Sequence, residues 1–187
     1  MTHDSTPTVT PPFSHPLKVA GVSAKASVLK LNANADELAG LARLWDVVSL
    51  GSLSAELQVV RWKKDGVRLT GEVKADVMQA CVVTLEPVAS KISETIDQTF
   101  VPEGSKLAKI VAQDAADATI DPDGPDLPEL FAGETIDIGA IVAEFAALAL
   151  DPYPRKPGVD FTPHLEDADA GDRPPSPFAA LKDWKKD

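Results

Sequence analysis

Only one cysteine, Cys81, occurs in the chain of 187 residues. Neither a disulfide framework nor a cysteine-based zinc site can therefore form within one chain. Aromatic residues make up 5% of the sequence, which leaves the core to Val, Leu, Ile and Ala. Positive charge is short: 18 Lys and Arg stand against 29 Asp and Glu, a formal net charge of −11. That balance disfavours broad, non-specific nucleic-acid binding, which needs local cations to meet phosphates. The longest apolar run, residues 138–150, is interrupted by Glu144 and is too short to span a membrane. The opening MTHDSTPTVTPPFSHP has no basic start and no apolar stretch, so no signal peptide is expected.

What is present suits one folded unit. Hydrophobic residues reach 44%, enough for a core. Residues 1–15, rich in Thr, Pro and Ser, read as a disordered lead. Residues 16–152 read as a single domain, with strands at 17–22 and 27–31 and a flexible acidic loop at 119–130. Residues 153–187 form a Pro- and Asp-rich tail that closes with a short helix carrying Phe178, Leu181 and Trp184. Asn34 with Glu37 three residues later predicts a capping box. Behind it Leu38, Leu41, Leu44, Trp45 and Val48 form a helical stripe. A second helix near 137–150 is capped by Asp137 or Thr135, carries Ile138, Ile141, Val142, Phe145 and Leu148 on one face, and stops at Asp151-Pro152. A weak helical pattern covers 107–118.

Strands are marked by alternation. Ala55, Leu57 and Val59 alternate with Ser54, Glu56 and Gln58. Val67, Leu69, Val73, Ala75 and Val77 alternate with polar neighbours. Each run has one face for the core and one for water. Cys81, Val83 and Leu85 also alternate and read as a strand, with Pro87 as a turn or edge. Val88, Ile92, Ile96 and Phe100 recur every fourth residue, but their β-branched character argues for a strand. The whole pattern predicts an α+β fold: an antiparallel β-sheet of about five or six strands, open or barrel-like, against two main helices.

The stretch RWKKDGVR, 61–68, gathers cations at the turn between the two alternating runs, where Asp65-Gly66 suits a two-residue type I′ turn. Arg61, Trp62, Lys63, Lys64 and Arg68, with Lys74 further along, are RNA-binding candidates: cations for phosphates and a ring to stack on an unpaired base. The competing reading is a solvated hairpin tip, with Lys discouraging edge pairing. No catalytic group, cofactor site or metal site stands out. His3, His15 and His164 lie in proline-rich segments, and Cys81 opens an apolar stretch as a structural thiol would. Glu144 sits at the border of its helical stripe. It either reaches for water or anchors a cation from a basic partner or a sheet arginine.

Three blocks carry a resemblance. CVVTLEPV, with Cys81, Thr84, Leu85, Glu86 and Pro87, resembles the central signature of the large ribosomal RNA subunit accumulation (YceD) family. IDIGAIVAEFAALALDPYPRKPG, with Asp137, Glu144, Pro152, Pro154 and Arg155, resembles a second block of that family. PFAALKDW, with Pro177, Phe178 and Leu181, resembles its ending. Their order and spacing agree, and the likeness runs from about residue 16 onward. Many relatives carry a second Cys where Thr84 stands, so a thiolate-zinc role does not transfer.

The resemblance implies a cytoplasmic, non-enzymatic factor for accumulation of large-subunit (23S) ribosomal RNA. Its partners would be that RNA, through the cationic turn, or a basic ribosomal protein held by acidic surface. A metal-dependent enzyme acting through its carboxylates is the alternative from another class.

Overall fold

The computed structural model describes residues 11–106, 108, 109 and 127–159. The chain order is β1 (Pro16–Lys18), a 3-10 turn (Val19–Gly21), β2 (Ser27–Asn32), α1 (Ala35–Leu44), β3 (Ser49–Trp62), β4 (Gly66–Ala80), β5 (Pro87–Pro102), β6 (Glu129–Phe131), β7 (Thr135–Asp137) and α2 (Ile138–Leu148). The weak helical pattern at 107–118, most of the acidic loop and the closing helix lie outside the described residues.

The fold is α+β, as the alternating and helical patterns predict. Five strands form one sheet in the order β2-β3-β4-β5-β6, and β1 and β7 form a second, two-stranded sheet. The sheet does not close into a barrel. It is also not wholly antiparallel, because β6 runs parallel to β5, pairing Phe100 with Glu129. The expected strand at 17–22 shortens to three residues and then turns, with Val22 donating to the carbonyl of Val19 at 3.1 Å.

One face of the sheet makes the core. Leu53, Ala55, Leu57 and Val59 of β3, Val67, Leu69, Val73, Ala75 and Val77 of β4, and Ile92, Ile96 and Phe100 of β5 are all buried. Each Val, Leu, Ile or Phe side chain among them contributes about 1.5–3 kcal/mol when removed from water. At the centre of this face Gly71 pairs with Leu57 on one side and Ile96 on the other. A Cβ at Gly71 would meet the Leu57 Cα at 2.8 Å, so β3 and β4 can approach there only without a side chain. The opposite face is wet. Its ion pairs are Lys30–Glu56, Arg68–Asp97, Lys74–Glu72 and Lys91–Asp76.

Both helices cover the core face. In α1 the capping box forms as the sequence predicts: Asn34 Oδ1 accepts from Asp36 and Glu37, and Glu37 accepts from the Asn34 N–H at 2.8 Å. Its apolar stripe is shorter than expected. The helix ends at Leu44, and Asp46 at φ 53° turns the chain away, which leaves Leu44 and Val48 exposed. In α2 the buried residues are Ile138, Gly139, Val142, Ala143 and Ala146, while Leu148 is exposed.

The lead is not loose through residue 15. Residues 11–15 lie between the helices, and Phe13 is fully buried. Two glycines make room for them. A Cβ on Gly40 of α1 would meet Pro12 at 2.7 Å, and one on Gly139 of α2 would meet the His15 nitrogen at 2.7 Å. Asp137 completes the seat: it accepts from the Ser14 hydroxyl at 2.6 Å and the His15 N–H at 2.8 Å while capping α2 through Ala140. Burial opposes ionisation of Asp137. The Ser14 hydroxyl and the His15, Ala140 and Gly139 N–H groups outweigh it and hold the carboxyl below its usual range.

Candidate functional site

The β3–β4 connection is a three-residue loop, Lys63 to Asp65, and not a two-residue type I′ turn. Trp62 pairs with Gly66, and Lys63 takes the positive φ, at 53°. Gly66 is needed for space, since a Cβ there would meet the Phe100 carbonyl at 2.8 Å.

The six candidates do not form one patch. Arg61 and Trp62 are neighbours on a strand, so they point to opposite faces. Arg61 turns toward the helix side, where Nε and Nη2 donate to the Val22 carbonyl at 3.0 and 2.8 Å. With Lys64 it lines a cleft of about 400 Å³ that also contains Asp65 and Glu134. On the other face Lys63 lies over the Trp62 ring, 4.3 Å from its centroid, so one stacking surface is already covered. Arg68 is held by Asp97 through two hydrogen bonds of 2.9 and 2.7 Å, which raise the guanidinium pKa and lower that of the carboxyl. Lys74 stands six residues along β4, roughly 20 Å away, and pairs with Glu72 at 2.8 Å.

The signature residues, by contrast, converge. Cys81 to Glu86 do not extend a strand; they form the loop between β4 and β5. Cys81 donates its N–H to the Glu86 carbonyl at 2.8 Å and accepts from the Leu85 N–H at 2.9 Å. Leu85 takes a left-handed φ of 60°, as the last residue of a four-residue hairpin loop does. The alternation of Cys81, Val83 and Leu85 is thus a coincidence of composition. The strand that follows, read from Ile92, Ile96 and Phe100, is present from Pro87.

The segment after α2 straps onto this loop. Gln79, which is buried, donates Nε2 to the Asp151 carbonyl at 2.9 Å. Val82 donates its N–H to Pro154, itself buried, at 2.9 Å. Lys156 donates its backbone N–H to Cys81 Sγ at 3.4 Å, and its Nζ reaches Glu86 at 2.8 Å. The ion pair lowers the Glu86 pKa and raises that of Lys156. Cys81 has no exposed surface. The Thr84 hydroxyl and then the N–H groups of Lys156, Thr84 and Val83 favour its thiolate, and burial opposes them least, so the thiol falls to about 6. Thr84 thus supports the sulfur from three residues along the loop.

Two of the three sequence blocks therefore meet in space, although 70 residues separate Glu86 from Lys156. Residues 69–185 match the model of the family described as large ribosomal RNA subunit accumulation protein YceD. The chain belongs to the YceD family. The match starts within β4 and includes the signature loop, Asp137, Glu144 and the strap. The family description ties the chain to accumulation of large-subunit ribosomal RNA. No curated protein and no solved structure matches the chain.

The remaining family residues divide simply. Asp137 is the cap of α2, Glu144 is exposed on α2, and Pro152 and Arg155 are exposed beside the buried Pro154. Pro177, Phe178 and Leu181 lie outside the described residues, as do His3 and His164. His15 packs edge-on against Phe13, with ring centroids 4.9 Å apart. Among the described residues no three His, Cys, Asp or Glu side chains come together as a metal site, and no helix is long and apolar enough to cross a membrane. Sequence reasoning missed Gln79 and Lys156 because their partners in the strap and the signature loop lie 70 or more residues away. Only Lys156, inside the PYPRKPG block, had a signal that could have found it.

Proposed function

We propose that the protein supports large-subunit ribosomal RNA accumulation in the cytoplasm without catalysis, by holding a basic ribosomal protein on acidic residues 110–126. The observation that carries this reading is the distribution of charge. The described residues hold 16 acidic and 14 basic side chains, so nine of the eleven net negative charges lie in the other segments. Residues 110–126 contain Asp114, Asp117, Asp121, Asp123 and Asp126 and no Lys or Arg. Opposite charge speeds encounter with a cationic partner and keeps that partner off competing phosphates.

The cations support the same reading. Arg61, Arg68 and Lys74 already have partners within the fold, and Lys63 covers Trp62. Direct contact with RNA would have to displace these before gaining phosphate contacts. The test is capture from lysate with the full chain. The wild-type protein should recover a basic large-subunit protein, and changing the five aspartates to Asn should abolish recovery. Unchanged recovery would overturn the proposal. So would RNA recovery that depends on Lys63 and Lys64 and survives removal of protein.

A further inference from the structure

Between α1 and α2 lies an apolar groove of about 330 Å³, lined by Leu41, Leu44, Trp45, Ala143, Glu144 and Ala147 among others. Leu44, which lines it, is unusually bare at 64% exposed, and Leu148, next along α2 from the lining Ala147, is 78% exposed. Large apolar residues grouped on a surface mark a place that something covers. Glu144 stands at the edge of this groove as its one carboxylate, exposed to solvent.

Both helices end at the same end of the sheet. After α1 the chain enters β3, where Ser49 pairs with Met78. After α2 it meets Gln79 through Asp151. The strap then fixes Pro154 and Lys156 against the signature loop, so the described chain stops at Val159, three residues past Lys156, on the side of the sheet where both helices end. Seventeen residues separate Val159 from Pro177. At about 3.4 Å each they reach roughly 60 Å, ample to return across the helices.

Residues 177–186, PFAALKDWKK, have the chemistry the groove lacks. Phe178, Leu181 and Trp184 are spaced by three, which places them on one side of a helix. Lys182 lies between Leu181 and Trp184, beside Asp183, and Lys185 and Lys186 follow Trp184. The family match runs through residue 185, so this segment belongs to the same unit as the signature loop and Glu144.

We infer that residues 177–186 of this chain seat in the groove between α1 and α2, with Phe178, Leu181 and Trp184 covering its apolar floor and a lysine facing Glu144. Docking of an amphipathic segment by its apolar face is a general mode of recognition, and a tether makes it effectively intramolecular. This seat would bring all three family blocks to one end of the molecule. It does not depend on which partner residues 110–126 meet.

The experiment places a benzophenone amino acid at Leu44 in the full chain. Leu44 is exposed, so the fold tolerates it. Irradiation should give an adduct within residues 177–186 of the same chain, at monomer mass. Phe178→Asp or Leu181→Asp should reduce that adduct severalfold and raise the binding of an apolar dye. Glu144→Lys should reduce it too, and changing Lys182, Lys185 and Lys186 to Glu should restore it. An adduct joining two chains, an adduct only elsewhere in the chain, or a yield indifferent to Phe178 and Leu181 overturns the inference. A yield indifferent to Glu144 removes its ionic part.

Discussion

Asp137 accepts the backbone N–H of His15 at 2.8 Å, across 122 residues of sequence. One carboxylate thus fastens the start of the described chain and caps the helix that carries Glu144. Asp137→Ala removes both roles and should cost about 1–3 kcal/mol in urea unfolding. Asp137→Asn, which can still accept from His15, should cost less at neutral pH.

The same carboxyl gives a pH test. Its folded pKa is depressed, so the unfolded state binds the proton first as pH falls. Its contribution is fully present above the usual aspartate range and is lost as pH drops through the lower, folded value. Stability against pH should therefore fall less steeply in acid for Asp137→Asn than for the wild type. Parallel curves would show that the charge is unimportant.

Phe13 and Gly139 test whether residues 11–15 belong to the core. Phe13→Ala should destabilise by about 3–5 kcal/mol, the range for a fully buried aromatic. Gly139→Ala should cost about 1–3 kcal/mol through overpacking, because its Cβ would strike the backbone of Phe13, Ser14 and His15. Thermal unfolding of each variant provides the measurement. A neutral Phe13→Ala would restore the reading of a loose lead.

Cys81 makes a prediction of its own. The folded thiol loses its proton near 6, against 9.0 for a free one. Between those values the unfolded state holds more protons, so stability rises with pH and is lost as pH falls through about 6. Cys81→Ser should flatten that rise. Thiolate absorbance in the folded protein should titrate near 6, whereas alkylation should stay slow because the sulfur is buried. Titration of the folded thiol above 8 would contradict the arrangement.

Gln79 tests the strap. Gln79→Ala leaves the Asp151 carbonyl without its donor and should cost about 1–2 kcal/mol. Hydrogen exchange should show faster exchange at the Val82 and Lys156 amides, which face Pro154 and Cys81. Unchanged protection at both would mean the strap holds without Gln79.

Much of this architecture was legible in residues. The capping box of Asn34 and Glu37, the two alternating runs and the β-branched run from Val88 to Phe100 each carry local chemistry that agrees with the fold. What the sequence hid is non-local. Phe13 sits in a Pro-rich stretch and is buried only because Gly40 and Gly139 leave room for it. The Cys81–Leu85 alternation lacks the pairing partner that would make it a strand, and hydrogen bonds from Cys81 to the Glu86 carbonyl and from Leu85 to the Cys81 carbonyl close it as a loop. The cations of 61–68 looked like one patch because neighbours in sequence were read as neighbours in space. The pleat divides them between two faces. The meeting of the signature loop with the strap was visible only as a shared family pattern.

The parallel pairing of β5 with β6 has a consequence for the acidic residues between them. Phe100 and Pro102 lie directly beside Glu129 and Phe131, so both ends of the connecting chain are anchored within a few ångströms on one sheet edge. Under the proposed holding role, a cationic partner met by the aspartates between these two anchors would stay near that edge, and each release would be followed by recapture at high local concentration.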